Sequence, residues 1–383
     1  MTDVKKPISI YIHIPFCVKK CNYCDFLSSP CSEDERSIYI ERLIDEIKAT
    51  KAADKYEVQT VFFGGGTPSL LKVAEIEKIL CKLKEVYSFA DKTEITIECN
   101  PGTVDIEKLT GYKKLGINRL SIGAQSFDDE ELRLLGRIHN SAQIVDAVRF
   151  SRAAGFENIS IDIISSIPSQ SVKSYEQTIR KALDLQCEHY SVYSLIIEPG
   201  TPFYVNQNKL NLPTEDEVIL MDEITRTALE AAGYEQYEIS NYARPGLECK
   251  HNVTYWKRGL YRGYGLGAAS LVLDDCGREI RFSAERRLAD YYADANLLLE
   301  ERKNCEEYMV LSREDIISEY VFLGLRMNEG IDISLHEKIY SETIEKHINA
   351  GLCEYYNDGT KRLYRLSHRG MQLANVVMSD YLL

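Results

Sequence analysis

The sequence lacks any run of apolar residues long enough to cross a membrane. Its first residues, MTDVKKPISIYI, also lack the apolar segment and small-residue cleavage site of a signal peptide. We therefore expect a cytoplasmic protein without a transmembrane segment. Positive charge is scarce as well, because 46 Lys and Arg face 59 Asp and Glu, for a net charge of −13. Such a chain repels nucleic acid unless it carries a local basic patch.

Cysteine, in contrast, is abundant, with eleven in 383 residues. The thiols of a protein that is not exported stay reduced, so metal or redox chemistry is a better explanation than a disulfide framework. A hydrophobic fraction of 44% is ordinary for a globular protein. The length allows one large domain and a smaller one.

Strand and helix patterns alternate from residue 8 to about residue 240. Predicted strands start at Ile8, Val58, Glu94, Arg119, Asn158 and His189, with 3.6-residue periodicity between them. Six successive βα units predict the α/β class and a parallel sheet, which we expect to form an open, partial TIM-like barrel, (β/α)6. Ser32-x-x-Glu35 and Ser334-x-x-Glu337 are capping boxes that predict helix starts.

The pattern changes twice after the predicted barrel. Residues 243–311 are rich in Gly, aromatics and Arg, which predicts irregular structure near the barrel mouth. Residues 312–383 read as helix, helix, a hairpin at Asp358-Gly359 and a last helix, an order that is winged-helix-like. We therefore expect a barrel domain over 1–242, a connecting region over 243–311 and a mostly helical C-terminal domain over 312–383.

Three cysteines follow the first predicted strand as Cys17-x-x-x-Cys21-x-x-Cys24. Three thiolates can hold a [4Fe–4S] cluster and leave one iron open for a small molecule. A zinc site with His13 or Cys31 as fourth ligand is the alternative, although zinc sites usually show a second Cys-x-x-Cys pair. The scattered Cys31, Cys81, Cys99, Cys187, Cys276, Cys305 and Cys353 read as packing residues.

Polar residues lie at or near the ends of the other predicted strands. They are the Gly64-Gly65-Gly66-Thr67-Pro68 turn, Glu98, Gln125, Arg137 and Asp162. The carboxyl ends of parallel strands meet at one edge, where α/β barrels hold their chemistry. The group predicts a polar ligand at the barrel mouth, and salt bridges at the mouth are the alternative.

These motifs resemble the radical SAM superfamily, and within it the branch of oxygen-independent coproporphyrinogen oxidases. The resemblance implies that Cys17, Cys21 and Cys24 hold a [4Fe–4S] cluster whose open iron binds S-adenosylmethionine. It further implies a set of residues for S-adenosylmethionine: Tyr11, Tyr23, Gly65, Gly66, Thr67, Glu98, Gln125, Arg137, Asp162 and Ile196. Ser166 and Ser169 depart from the pattern, since relatives usually carry glycine at both positions.

Two further features resemble the haem chaperones of this branch. Phe26 stands where the decarboxylating enzyme has another cysteine, and the stretch before Cys17 is shorter than in that enzyme. His251-Asn-Val-Thr-Tyr-Trp256 matches the HNxxYW motif of the chaperones. The resemblance implies haem binding, with His251 as axial ligand and Trp256, the only tryptophan, against the porphyrin. Lys257, Arg258 and Arg262 are candidate partners for the propionates, with a solvated basic face as the alternative. Cys249 is a second candidate ligand, although a buried structural cysteine is the more common case.

Two functions follow as hypotheses. The first is a haem chaperone that passes haem to an acceptor protein. The alternative is a radical enzyme that uses an electron donor and S-adenosylmethionine to oxidise coproporphyrinogen III. Nucleic-acid modification is disfavoured, because the predicted C-terminal domain carries more acidic than basic residues.

Overall fold

Six parallel strands form the centre of the protein in a computed structural model that describes residues 5–51, 53–293, 308–357 and 359–383. They pair in chain order. These strands are β1 (Lys6–Ile14), β2 (Tyr56–Gly65), β3 (Ser88–Cys99), β4 (Arg119–Gln125), β5 (Ile159–Ser165) and β6 (His189–Ser194). The predicted α/β class and six-stranded parallel core are confirmed.

Helices connect the parallel strands. They are α1 (Glu33–Ala49), α2 (Val73–Val86), α3 (Ile106–Lys114), α4 (Asp129–Leu135), α5 (Ser141–Ala153) and α6 (Val172–Asp184), followed by α7 (Pro202–Val205) and α8 (Glu215–Ala231). Ser32 caps α1 and forms the predicted box with Glu35. Branched strand residues such as Ile10, Ile12 and Ile161 are fully buried against the helices, and each contributes about 1.5–3 kcal/mol through removal from water.

Short strands extend the sheet at both ends. They are β7 (Glu235–Glu238), β8 (Asn241–Ala243), β9 (Tyr261–Tyr264), β10 (Ala269–Leu273), β11 (Glu279–Ser283) and β12 (Met309–Val310). The described sheet runs from β12 at one end to β7 at the other, so it is open, as predicted. The prediction of irregular structure over 243–311 was wrong, because strands β9 to β12 and helices α9 (Lys250–Trp256) and α10 (Leu288–Ala293) occupy much of the described part of that stretch. Strands of two to five residues are too short to show a period of two.

The C-terminal part has a hydrophobic core of its own, built around Val321, Ile344, Tyr364 and Val377. Its elements are α11 (Arg313–Gly324), α12 (Ser341–Asn349), the antiparallel pair β13 (Cys353–Asn357) and β14 (Arg362–Leu366), and α13 (His368–Gln372) and α14 (Ala374–Ser379). The predicted order of elements is present, with Asp358 of the hairpin turn outside the described residues. The winged-helix likeness and the boundaries at 242 and 311 stay predictions. No described helix has the length and apolarity needed to cross a membrane.

Helix α12 begins seven residues later than its predicted capping box. The Ser334 hydroxyl donates to Asp332 Oδ1 at 2.6 Å, and residues 334–340 form turns. A serine three residues before a glutamate therefore does not start a helix when a nearer carboxylate competes for its hydroxyl.

The two serines that stand where relatives usually carry glycine adopt a backbone conformation that favours glycine. Ser166 and Ser169 both adopt left-handed φ angles, 63° and 64°, which cost a residue with a Cβ about 1–2 kcal/mol. The Ser166 hydroxyl is also buried without a hydrogen-bond partner among the described residues. The turn after β5 therefore keeps a backbone conformation that suits glycine, although two serines with strained φ angles occupy it.

A buried ion pair joins the C-terminal part to the barrel. Arg326 donates to Glu238 Oε2 at 3.1 Å, and the Glu238 side chain is fully buried. The Arg326 guanidinium also lies 4.1 Å from the centre of the Trp256 ring. The Asn328 amide adds a hydrogen bond to the Tyr237 carbonyl at 3.0 Å. Arg326, from the C-terminal part of the protein, therefore packs against the last residue of helix α9.

We expect Arg326→Met to destabilise the protein by roughly 3 kcal/mol, because it leaves the buried Glu238 carboxylate without its cation. The measurement is the free energy of unfolding from urea denaturation. Arg180→Met is the matched control, since it removes an exposed pair with Glu176 and should cost less than about 1 kcal/mol. Equal losses in the two variants would contradict the role given to Arg326.

Candidate functional site: a polar cavity at the barrel mouth

A cavity of about 660 Å³ opens at the carboxyl ends of the parallel strands. All the residues predicted for the cluster and for S-adenosylmethionine line it: Tyr11, Cys17, Cys21, Tyr23, Cys24, Gly65, Gly66, Thr67, Glu98, Gln125, Arg137, Asp162 and Ile196. Strand register explains the convergence, because neighbouring parallel strands end at the same edge. Gly123 of β4, for example, pairs with Asp162 of β5.

The cysteine loop is anchored on both sides. Its Cys17 amide donates to the Ser29 carbonyl at 3.1 Å, and its Asn22 amide donates to Leu135 at the end of α4 at 2.9 Å. The Cys24 amide donates to the Cys21 carbonyl at 3.3 Å in a tight turn. All three thiols are half-buried and face the cavity. The sequence alone indicated the three cysteine ligands but not the backbone hydrogen bonds that hold their loop in place.

The glycine turn after β2 packs directly under this loop. A Cβ on Gly66 would lie 2.7 Å from the Phe16 carbonyl oxygen and 3.0 Å from Cys17 Sγ, so no side chain fits there. The Gly66 amide donates to the Ile14 carbonyl at 2.8 Å, and the Thr67 amide donates to Phe16 at 2.7 Å. Gly65 has a φ of 115°, which favours glycine. The glycines thus let two backbones approach each other beside the thiols.

Positive charge reaches the loop from Arg137. Its Nη1 donates to Cys21 Sγ at 3.5 Å, and its Nη2 donates to the Gly123 carbonyl at 2.9 Å. Its buried Nε has no partner in the described part of the chain. Thr67 adds a hydroxyl that donates to Cys17 Sγ at 3.5 Å. Both contacts favour sulfur that carries negative charge, as a metal-bound thiolate does.

The donor set fits a [4Fe–4S] cluster better than one metal ion. Among the described residues, no three His, Cys, Asp or Glu side chains converge on one ion position. A cluster needs no such convergence, since each cysteine binds a different iron. His13, the suggested fourth zinc ligand, is buried with both ring nitrogens engaged, Nδ1 with Tyr11 and Nε2 with the Leu27 carbonyl.

Two carboxylates, Glu98 and Asp162, also line the cavity. Glu98 of β3 accepts from the Gly65 amide at 3.1 Å. Burial, followed by the nearby Asp162 charge, raises the pKa of Glu98 to about 8. Asp162 accepts from the hydroxyls of Ser121 and Ser160, and burial raises its pKa as well. Burial makes it costly for either carboxyl group to carry a charge without a cation nearby. A cationic ligand in this cavity would therefore favour the ionised form of both groups.

Gln125 and Ile196 occupy the side of the cavity next to β6. Gln125 ends β4 with a left-handed φ of 71°, and its Oε1 accepts from the Tyr193 hydroxyl at 3.3 Å. Ile196, in the loop after β6, is 63% exposed at the rim. A non-glycine residue in that conformation at a cavity wall is typical of a functional site.

Sequence reasoning missed Arg119, a buried residue at the start of β4 that also lines the cavity. An arginine in a strand otherwise free of charge was the signal that could have identified it, because a charged side chain is costly to bury without a partner. Tyr193 and Tyr255 also line the cavity and were not singled out as ligand contacts.

The two residues predicted for haem point to different cavities. His251 lines the barrel cavity, whereas Trp256 lines a separate cavity of about 1140 Å³ between the barrel and the C-terminal part. Both are on α9, but they face in different directions, and haem binding by either residue stays a prediction. Trp256 instead packs on Arg326.

His251 is buried and hydrogen-bonded on both ring nitrogens. Nδ1 lies 2.7 Å from Thr60 Oγ1, and Nε2 lies 2.9 Å from the Tyr255 hydroxyl. Burial, followed by the Arg119 charge, lowers the pKa of His251 to about 3, so the ring is neutral. Direct coordination of iron by Nε2 would require the bond to Tyr255 to break.

The cations predicted for the propionates have other partners. Lys257 pairs with Glu329, and Arg258 pairs with Glu319. Arg262 is buried between the rings of Tyr264 and Phe282. The role of these cations towards the propionates stays a prediction, and the three neighbouring positions diverge after the short helix α9.

The remaining cysteines divide into two groups. Cys99, Cys187, Cys249 and Cys353 are buried, as expected of packing residues. Cys81 and Cys276 are exposed, so the packing role predicted for them was wrong, and Cys31 is half-buried. Cys305 lies outside the described residues.

Comparison with known proteins agrees with this site. Residues 11–182 match the radical SAM superfamily. The chain is 34% identical over 382 residues to the haem chaperone HemW of Bacillus subtilis (strain 168), covering 98% of this chain and 99% of that protein. The corresponding figures for the haem chaperone HemW of Escherichia coli (strain K12) are 40% over 282 residues, 73% and 74%.

A solved structure supports the fold. The radical SAM enzyme coproporphyrinogen III oxidase (HemN) from Escherichia coli superposes with a TM-score of 0.81 at 24% identity, covering 99% of this chain and 90% of that one. At this identity the similarity establishes the fold alone. The similarity to the chaperones runs from end to end, and on that basis the chain belongs to the HemW family of the radical SAM superfamily.

Proposed function

We propose that this protein is a haem chaperone: it binds haem near the barrel mouth and transfers it to an acceptor protein. The observation that carries the proposal is the similarity to haem chaperones over 98% of the chain. The position of His251 and Tyr255 at the cavity wall supports a haem site beside the barrel mouth. An exposed Phe26 at the same mouth offers an apolar surface to a flat ring.

Membership in the radical SAM superfamily implies a [4Fe–4S] cluster and S-adenosylmethionine. We propose that Cys17, Cys21 and Cys24 hold the cluster, beside Arg137 and above the glycine turn. When bound, the two cofactors supply one-electron and radical chemistry. The ten remaining predicted residues are proposed to hold S-adenosylmethionine, because they surround the same cavity.

The cytoplasm remains the proposed location. Each of the ten cysteines in the described ranges is a free thiol, which fits a reducing compartment.

The chaperone hypothesis is tested by titrating the anaerobically reconstituted protein with haem and, separately, by incubating the reduced protein with coproporphyrinogen III and S-adenosylmethionine. We expect one haem per chain, transfer of that haem to an apo-haem protein, and no protoporphyrinogen IX. Iron-free protoporphyrin is the control, and it should bind more weakly because it offers no iron to a protein ligand. Conversion of coproporphyrinogen III without haem transfer would favour the enzyme hypothesis and contradict this one.

The raised pKa of Glu98 predicts a pH dependence of stability. The folded protein keeps the Glu98 carboxyl protonated up to about pH 8, while the unfolded chain ionises it near its ordinary pKa of about 4.3. Its contribution to stability is therefore fully present at low pH and is lost as the pH rises through about 8. Glu98→Gln cannot ionise and keeps an acceptor for the Gly65 amide. Without cluster or ligand, it should exceed the parent in unfolding free energy at pH 8.5 by more than about 1 kcal/mol.

That difference should shrink towards pH 4.5, and urea denaturation at several pH values measures it. Glu77→Gln, at an exposed position on α2, is the control and should show no comparable change with pH. A constant difference between Glu98→Gln and the parent across this range would show that folding does not raise the pKa of Glu98.

A further inference from the structure

A side chamber of about 360 Å³ opens beside the main cavity. Tyr11, Asp25, Phe26 and Tyr255 line both spaces, so the two are adjacent. The proposed cluster and S-adenosylmethionine residues surround the main cavity, and apart from Tyr11 none of them lines the side chamber. The chamber therefore offers room for a second ligand next to them.

The walls of this chamber suit a flat aromatic ligand with an acidic edge. Phe26 is 66% exposed beside it, and Tyr261 packs edge-on against Tyr255 with ring centres 4.7 Å apart. One wall of the chamber consists of small residues, which leave room for a ligand: Gly267, Ala268 and Ala269. Arg286 is exposed at the chamber and pairs with no acidic side chain in the described ranges. An unpaired guanidinium is a good partner for a carboxylate.

The Tyr255 phenol is better placed than the His251 imidazole to bind metal in this chamber. Tyr255 is half-buried and lines the chamber, whereas His251 behind it is only 1% exposed. The His251 ring is held by Thr60 and Tyr255 at its nitrogens and stacks on Phe62 at 5.0 Å. A ligand that enters from the chamber meets the phenol oxygen before the imidazole.

We propose that the Tyr255 phenolate is the axial ligand of ferric haem in this chamber, and that His251 is a positioning residue that holds the phenolate. This inference rests on the proposed haem-chaperone function and assigns the ligand within it. Tyrosine is a known axial ligand of haem iron. Phe26 and Tyr261 then face the porphyrin, and Arg286 receives a propionate.

The proton balance is simple. The Fe–O bond forms as the phenol O–H bond breaks, and one proton leaves to solvent, with no change in the iron oxidation state. The imidazole then donates Nε2–H to the phenolate while Nδ1 accepts from the Thr60 hydroxyl. Thr60 allows this change of tautomer because a hydroxyl both donates and accepts. His251 stays neutral throughout, in agreement with its burial.

The test compares variants of the full-length, reconstituted protein loaded with ferric haem, by resonance Raman and electron paramagnetic resonance spectroscopy. The parent should show high-spin ferric haem with iron–phenolate vibrations. Tyr255→Phe should lose these vibrations and bind haem at least about tenfold more weakly. His251→Gln should keep the vibrations, shifted, because an amide still reaches the phenolate. Tyr320→Phe is the matched control and should keep the parental vibrations, since Tyr320 is a half-buried tyrosine of α11 that does not line the chamber.

The two ligand assignments predict opposite results. If His251 were the ligand, Tyr255→Phe would keep an imidazole spectrum and His251→Gln would lose it, and this outcome would overturn the proposal. The iron–sulfur content of each variant shows whether it is folded. Failure of the parent itself to bind haem would overturn the proposed function and the ligand assignment together, whereas unchanged haem binding by Tyr255→Phe would overturn the assignment alone.

Discussion

The close contact between the cysteine loop and the glycine turn is the constraint on which the site depends. Gly66 lies so near the Phe16 carbonyl and Cys17 that any side chain would push the loop away. The same turn offers the Gly65 amide to Glu98, and the loop accepts a hydrogen bond from Arg137. This backbone contact therefore holds the thiols close to the Glu98 carboxylate, while the Gly123 carbonyl holds Arg137 beside them, as a preorganised cofactor site requires.

The sequence predicted the barrel and most of its mouth because both follow from local patterns. Strand ends are recognisable, and parallel pairing brings their carboxyl ends together, so Glu98, Gln125 and Asp162 share one cavity. The sequence was less informative where side-chain direction or competing contacts decide the arrangement. Trp256 lies five residues after His251 on the short helix α9 but faces another cavity, and the basic residues after it pair with acidic groups distant in sequence. The short strands of residues 261–283 carry no readable period.

The HNVTYW segment links the two parts of the protein. His251 and Tyr255 face the barrel, while Trp256 stacks on Arg326 of the C-terminal part, which in turn pairs with buried Glu238. The Glu94 carboxylate accepts from the His251 amide at 3.2 Å at the start of the same helix. The helix is therefore held at its start by the barrel and at its end by the C-terminal part, with the His251–Tyr255 pair between them at the cavity wall.

The cluster assignment underlies every functional statement about this cavity, and iron content tests it most directly. After anaerobic reconstitution, the parent should contain about four irons per chain with matching sulfide. Alanine at Cys17, Cys21 or Cys24 should abolish the cluster. Alanine at Cys31, the half-buried neighbour that a zinc site would recruit, should leave it intact. A full complement of iron in any of the three loop variants, or loss of iron in the Cys31 variant alone, would contradict the account.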